Sequence, residues 1–347
     1  MILSKLVTEP SHSILTQSYD SRLRLDSRRP VNGDGFGVGW YTDAGLGETP
    51  CIFTSTLPAW NCINLERIAP KTSSRLIFAH VRATTEGSLA ENNCHPFQHN
   101  TLMWMHNGNI GGWKYVKRQL AISLSDKWYM GVNGGTDSEW AFALFLDTLE
   151  KEGVDPSSPP SHGFSPKILR RAMKKTIAII NAFVGAAPKI QKVNTDTDPT
   201  ETRSLLNFAV TDGHTVLVTR YVSSKTDAAA SLYYSSGTDW VEGNHKGQFK
   251  MERRDKASDV ILVASEPLTF NRHNWLSVPT NTILTIRDQK VFVKPIKDEF
   301  YNPDPLAERS ESFAQEKGLV TQTPGGGQVT TSSDAAETAE PVAKVNQ

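Results

Sequence analysis

Short apolar runs separated by polar turns recur through the first third of the chain. Leu76-Ile77-Phe78-Ala79 and Leu102-Met103-Trp104-Met105 have the length and lack of charge expected of strands buried in a layered sheet, and Val38-Gly39-Trp40-Tyr41 reads the same way. The period then changes. Thr136-Asp137-Ser138-Glu139 has the Thr-x-x-Glu spacing of a capping box, and Trp140, Ala141, Leu144, Phe145 and Leu149 follow at helical spacing, which predicts a helix to Glu152. A second helix is predicted from Pro166 to about Phe183, with Ile168, Leu169, Ala172, Met173, Ile177 and Ile180 in one stripe and Gly185 as its stop. Lys189 to Arg203 is polar and reads as a loop. Beyond it, residues 205–210 and 215–221 flank Asp212-Gly213, the strongest short hairpin signal in the chain. Residues 260–264, 282–286 and 291–293 are short, rich in β-branched side chains and read as strands. Strands, two helices and strands again describe an α+β layered architecture rather than a doubly wound sheet.

Composition narrows the function without naming it. The 347 residues are 38% hydrophobic and 21% charged, with 37 Lys+Arg against 37 Asp+Glu, a near-neutral balance that gives no electrostatic reason to expect nucleic acid or membrane as a partner. The first thirteen residues hold one lysine and only short apolar runs, so no signal peptide or membrane span is read there and a cytoplasmic address is expected. Cys51, Cys62 and Cys94 lack CxxC spacing, which argues against a disulfide framework and a zinc ribbon. One domain is expected over residues 1–305. From 306 to 347 the chain turns to Ser, Thr, Gly, Ala and Glu, and that tail is expected to be disordered because it buries too little apolar surface to offset its ordering entropy.

Candidate chemistry sits at the strand ends. Asn107-Gly108 alone would be a hairpin turn. As chemistry it would be an oxyanion hole, the Asn107 side chain and the Gly108 backbone N–H donating to an oxygen that becomes negative when a carboxamide is attacked. Arg82 offers a fork for an α-carboxylate, against the plainer reading of a surface ion pair. Asp137 would hold an α-ammonium or simply complement a helix dipole. The glycines of Asn32-Gly33-Asp34-Gly35-Phe36-Gly37-Val38-Gly39 precede a strand and lack a Gly-Lys-Ser/Thr, so close backbone packing fits them better than a phosphate. Cys94-His95 would point to opposite faces of a strand, which disfavours a nucleophile and base pair. His80, His95, His99 and His106 lack metal-ligand spacing, so no metal site and no cofactor is expected.

His80-Val81-Arg82-Ala83-Thr84-Thr85, Cys94-His95-Pro96, His106-Asn107-Gly108 and Gly135-Thr136-Asp137-Ser138-Glu139, in that order, resemble the class II glutamine amidotransferases. Ser18-Tyr19-Asp20-Ser21-Arg22-Leu23-Arg24-Leu25-Asp26, Leu206-Asn207-Phe208-Ala209-Val210-Thr211-Asp212-Gly213 and Val263-Ala264-Ser265-Glu266-Pro267-Leu268 are similar to the fungal members that serve as the amidotransferase-like subunit of a glutathione-degrading complex. The resemblance implies a four-layer αββα sandwich of the N-terminal nucleophile hydrolase type. It also implies Asn107 and Gly108 as oxyanion donors, Arg82, Thr85 and Asp137 as substrate-binding residues, and His95 lining the pocket. The implied reaction is cleavage of a γ-glutamyl amide, as in glutathione or glutamine, through a thioester, and the implied partner is a metallopeptidase-like subunit. The family's nucleophile is a cysteine at the mature N-terminus, whereas this sequence opens Met1-Ile2-Leu3-Ser4. Residues 1–347 alone are therefore expected to be inactive. The expectation is that a strand and turn of about a dozen residues beginning Met-Cys lie upstream, the alternative being a non-catalytic subunit.

Overall fold

The computed structural model describes residues 1–20, 32–83, 88–191, 202–254, 258–269, 274–304 and 307–319. The chain opens with two short helices, α1 (Ser4–Val7) and α2 (Ile14–Tyr19), the second capped by the Ser13 hydroxyl. Strands β1 (Phe36–Trp40) and β2 (Cys51–Ser55), helix α3 (Ile63–Ile68) and strand β3 (Ile77–Val81) follow. The pairing is antiparallel in the order β2-β1-β3. Phe36, Val38, Ile77, Ala79 and Val81 form one face of this sheet, packed on Leu3, Val7 and Leu65 of the helices. On the opposite face the central strand β1 is bare: Gly37 and Gly39 lie there because a Cβ would meet the His95 carbonyl at 2.1 Å and the Met103 sulfur at 2.5 Å. The glycine run thus permits one sheet to approach another, as the sequence suggested.

That second sheet has six strands. In chain order they are β4 (Phe97–His99), β5 (Leu102–Asn109), β6 (Leu205–Thr211), β7 (Thr215–Arg220) and, after several strands of the other layer, β13 (Thr282–Arg287) and β14 (Lys290–Pro295). Between β5 and β6 run α4 (Trp113–Ser123), α5 (Asp126–Met130), α6 (Asp137–Lys151) and α7 (Pro166–Gln191). Leu102, Trp104, Leu206, Phe208, Val210 and Leu217 face these helices in one core. By strand alternation Met103, Met105, Ala209 and Val216 face the glycine-lined sheet. The remaining strands β8 (Tyr233–Gly237), β9 (Asp239–Glu242), β10 (Phe249–Glu252), β11 (Val260–Ala264) and β12 (Leu276–Ser277) include a second three-stranded sheet, β11-β8-β12. Its Tyr234 and Val263 pack with Val218 and Leu284 on the same face of the six-stranded sheet. Helices, six-stranded sheet, two small sheets side by side and helices again make the expected αββα sandwich.

Two boundaries differ from the sequence reading. Helix α7 continues through Gly185, where a Cβ would meet nothing within 4 Å, to Gln191. An interior glycine costs only about 1 kcal/mol, and the burial of Val184 and Ala187 carries the helix past it. Residues 307–319, assigned to a disordered tail, are packed instead. Helix α8 (Ser312–Glu316) buries Phe313 and Ala314 against Leu205, Val222 and Ala229, and Arg203 lies over the Phe313 ring at 4.0 Å. One aromatic side chain supplies what the surrounding polar composition lacks. The rest of that tail, residues 320–347, lies outside the described residues, as do 305 and 306.

Candidate active site

Asn107-Gly108 is not a turn. Both residues lie inside β5, with Asn107 opposite Asn207 and Gly108 opposite Leu206 on β6. Gly108 has φ +141°, and a Cβ there would fall 1.9 Å from the Leu205 carbonyl oxygen. Glycine is required by the approach of that neighbouring strand, a packing reason that stands beside any chemical one. Met103 and Met105 turn to the gap between the sheets, so Asn107, next in the alternation, shares that face. From the opposite sheet Phe78 enters the same gap, and His80 follows it by one strand repeat.

The gap opens there into a cavity of about 640 Å³ whose wall includes His80, His106, Asn107 and Asn207. The cavity extends away from these residues past Leu76 to Ala79, at the start of β3, and along β11 and the residues on either side of it, Asp259 and Ser265. Among the described strands β3 pairs only with β1, and β11 only with β8 on one side, so two free strand edges flank the space.

Arg82 is only 4% exposed, which removes the surface ion pair as its explanation. Its Nη1 donates to the carbonyls of Asp34 and Ser88, each at 3.4 Å, and its backbone N–H to Gly35 at 2.9 Å. Asp137 begins α6, where Thr136 accepts from the Glu139 N–H. One Asp137 oxygen accepts the Ile110 N–H at 2.8 Å, tying the helix start to the end of β5, and the other accepts the Ser138 hydroxyl at 3.2 Å. Ser138 also contacts His106 Nδ1 at 2.9 Å, while His106 Nε2 donates to the Leu205 carbonyl at 3.0 Å. Burial lowers the His106 pKa, and nearby Asp137 works in the opposite direction.

His95 is set back from the cavity rather than lining it. It lies behind His80, the two rings meeting Nδ1 to Nδ1 at 3.2 Å. Burial, then His80, His106 and Arg82, hold its pKa well below the usual histidine range. These influences make His95 the point at which β3, β5 and Arg82 converge. The Cys94 thiol turns the other way, 3.6 Å from the Ser55 carbonyl, with burial raising its pKa, so no thiol–imidazole pair forms. His99 belongs elsewhere, on Ser157 and the Trp128 ring. Thr85 lies outside the described residues.

Sequence reasoning missed three supports of this site. Glu139 does not close the capping box; its carboxylate accepts the Asn133 and Gly134 N–H groups at 2.8 and 2.6 Å, and Asn93 accepts the Gly135 N–H at 3.1 Å. Together they fix the loop leading to Asp137. Ser138, the third, bridges Asp137 and His106 across 32 residues of sequence, a distance at which no local spacing signal operates.

The sequence profile described as "Glutamine amidotransferases class-II" matches residues 11–180. The probable glutamine amidotransferase DUG3 of Saccharomyces cerevisiae is 52% identical over 324 residues, which is 93% of this chain and 88% of that one. The chain belongs to the class II glutamine amidotransferases. It is also similar to the gamma-glutamyl-hercynylcysteine sulfoxide hydrolase of Mycolicibacterium smegmatis, at 22% identity over 85% of this chain and 94% of that one. Among solved structures, a glutamine aminotransferase class-II domain protein from Silicibacter pomeroyi aligns with a TM-score of 0.46 at 23% identity, covering 75% of this chain and 90% of that one. Among the described residues no helix of this amidotransferase is long and apolar enough to cross a membrane.

Proposed function

We propose that this amidotransferase hydrolyses γ-glutamyl amide bonds, with glutathione as the principal substrate and glutamine as the simplest one, and works in the cytoplasm beside a metallopeptidase-like subunit. The observation that carries the reading is that His80 and Asn107, from two sheets, share the wall of one cavity with His106, which Ser138 ties to Asp137 at the start of α6. In this account Arg82 grips the α-carboxylate, Asp137 receives the α-ammonium, and Asn107 with Gly108 stabilises the oxyanion. The hydrolase relative that acts on a γ-glutamyl compound supports the substrate class. Free thiols at Cys51, Cys62 and Cys94 agree with a reducing compartment.

The nucleophile is assigned to a cysteine on a strand seated between β3 and β11. Cys62 and Cys94 are buried, Cys51 lies at the far end of the β1 pairing opposite Trp40, and none carries a free α-amine. The approach of the chain supports this path: Ile2 forms an antiparallel bridge to Ser73, and the Met1 N–H group donates to the Ser74 carbonyl at 2.7 Å. A strand leading into Met1 in that direction would run along β3 towards His80. Such a terminal amine, with a pKa of about 7.7 to 8.0, would serve as base to its own thiol. A non-catalytic subunit that binds γ-glutamyl compounds is the second reading; none of Cys51, Cys62 and Cys94 is on the cavity wall that His80 and Asn107 share. Glutamate release from glutathione separates the two: the protein carrying an added Cys-headed strand is expected to release it, and an inactive but glutathione-binding protein would leave the second reading standing.

A further inference from the structure

We propose that neutral His106 holds the hydroxyl hydrogen of Ser138 away from Asp137, leaving Asp137 Oδ1 bare for an ammonium group, and that Ser138 and His106 are thereby positioning residues for that carboxylate. That the ammonium is the α-amino end of a γ-glutamyl compound rests on the function proposed above. The placement of the hydrogen does not.

The Leu205 carbonyl fixes the ring. A carbonyl oxygen only accepts, so its 3.0 Å contact puts a hydrogen on His106 Nε2. A neutral imidazole has one N–H, and Nδ1 is then a lone pair 2.9 Å from the Ser138 oxygen. The hydroxyl has a single hydrogen, which can serve either this contact or the one to Asp137 Oδ1 at 3.2 Å, but not both. Two observations place it. His106 and Ser138 are 3% and 6% exposed, so turning the hydrogen to Asp137 would leave a buried acceptor without a donor. A hydroxyl that donates to a carboxylate also closes to about 2.5–2.7 Å, which the longer contact does not. The other carboxylate oxygen, Oδ2, has the Ile110 N–H at 2.8 Å. Among the described residues Oδ1 is then left without a donor, and a bare oxygen on a half-buried carboxylate is where the N–H of a cation would bind.

Protonation of His106 reverses the arrangement. Its Nδ1–H donates to the Ser138 oxygen, the hydroxyl turns to Asp137 Oδ1, and the site loses its acceptor while a cation forms beside it. The groups facing His106 are Asp137 and Ser138 from α6, the Leu205 carbonyl and the Phe208 ring from β6, and His95 from the bend before β4. Asp137 and the Leu205 carbonyl favour the imidazolium, and burial outweighs them. His95, whose own burial holds it neutral, adds no charge. Near neutral pH the hydrogen therefore stays on the His106 side.

The test is calorimetry on the full chain at about pH 7.5, with L-glutamine as one probe and glutaramate, which has the carboxamide and carboxylate but no amino group, as the other. His106→Gln keeps an N–H for the Leu205 carbonyl and removes the Nδ1 lone pair. The hydroxyl should then turn to Asp137, and glutamine affinity should fall on the order of tenfold while that for glutaramate changes by less than about twofold. Ser138→Ala added to His106→Gln takes away the competing hydrogen and should return most of the lost affinity. An equal fall for glutaramate, or a loss that Ser138→Ala does not return, overturns the proposal. Nitrogen–proton NMR of the histidine rings reads the free parent chain without any ligand. His106 should be the Nε2–H tautomer with Nδ1 shifted as a hydrogen-bond acceptor, and should protonate only below the ordinary value of about 6.5. An imidazolium at neutral pH, or an Nδ1 with the shift of a free lone pair, overturns the proposal as well. Glutamine that fails to bind the parent chain counts against the γ-glutamyl reading and leaves the hydrogen to be placed by the spectrum.

Discussion

Two kinds of strand edge occur in this molecule, and they are built differently. The outer edge of the six-stranded sheet is β14, Lys290 to Pro295, which carries two lysines and ends in a proline. Its Phe292 and Val293 stand 41% and 38% exposed. Such an edge resists pairing with another strand through charge, through the missing proline N–H and through exposure to water. The edges of β3 (Ile-Phe-Ala-His-Val) and β11 (Val-Ile-Leu-Val-Ala) have no lysine, acid or proline, and they flank the cavity from both sides. An edge without protection, facing another such edge across an apolar space, has the properties of a central position in a sheet. The contrast marks the gap, with His80 and Asn107 on its wall, as the place where the proposed Cys-headed strand would pair.

The largest effect expected on this picture is at the closed end of the gap. Gly108→Ala should cost about 3 kcal/mol or more, because the added methyl would collide with the Leu205 carbonyl at a backbone angle that L-residues rarely adopt. Chemical denaturation measures it, and a loss below about 1 kcal/mol would mean that β5 and β6 separate freely there. Next, in a protein carrying the Cys-headed strand, Asn107→Ala should lower kcat by on the order of a hundredfold while leaving KM nearly unchanged. An unchanged kcat would leave Asn107 as a strand residue with no part in oxyanion stabilisation.

The edges themselves can then be compared directly. Val263→Lys, on the face of β11 that packs towards Val218 and Leu284, should cost about 1–3 kcal/mol, whereas Phe292→Lys on β14 should fall within about 0.5 kcal/mol. Equal costs would dissolve the distinction. The smallest effect is one of pH. The pKa values of His95 and His106 are lowered on folding, so the unfolded chain takes up protons that the folded one refuses. Their contribution is whole above the ordinary histidine value of about 6.5 and is lost as pH falls below it, by up to about 1.4 kcal/mol per group per pH unit. A melting temperature that rises on acidification from neutral pH would contradict this.

The sequence made the framework legible where a pattern was long or a signal local. Helix α6 and its Thr136 cap, the β6–β7 hairpin at Asp212-Gly213, and β11, β13 and β14 were all readable from periodicity and turn chemistry. Helix α4 escaped because it buries Val116 and Leu120 but little else, too thin a stripe to count. Helices α1 and α2, of four and six residues, exist by docking on β1 and β3 and have almost no propensity signal of their own. Strand β8 escaped because Ser235-Ser236-Gly237 reads as turn composition. At the site, residue types were visible but their arrangement was not. Asn107-Gly108 carried a turn signal that the pairing of β5 with β6 overrides, and the His80–His95 contact joins β3 to the bend before β4, fifteen residues on. Resemblance to a family, rather than spacing, is what drew Arg82, Asn107 and Asp137 into one set.

Glutamate release from glutathione tests the central claim most directly, measured on the chain with a Cys-headed strand added before Met1, alone and with its metallopeptidase-like partner. The account predicts release that is lost when the added cysteine becomes alanine and is untouched by Cys94→Ala. Release by residues 1–347 alone that Cys94→Ala abolishes, or no release in either setting from a protein that binds glutathione, would contradict it.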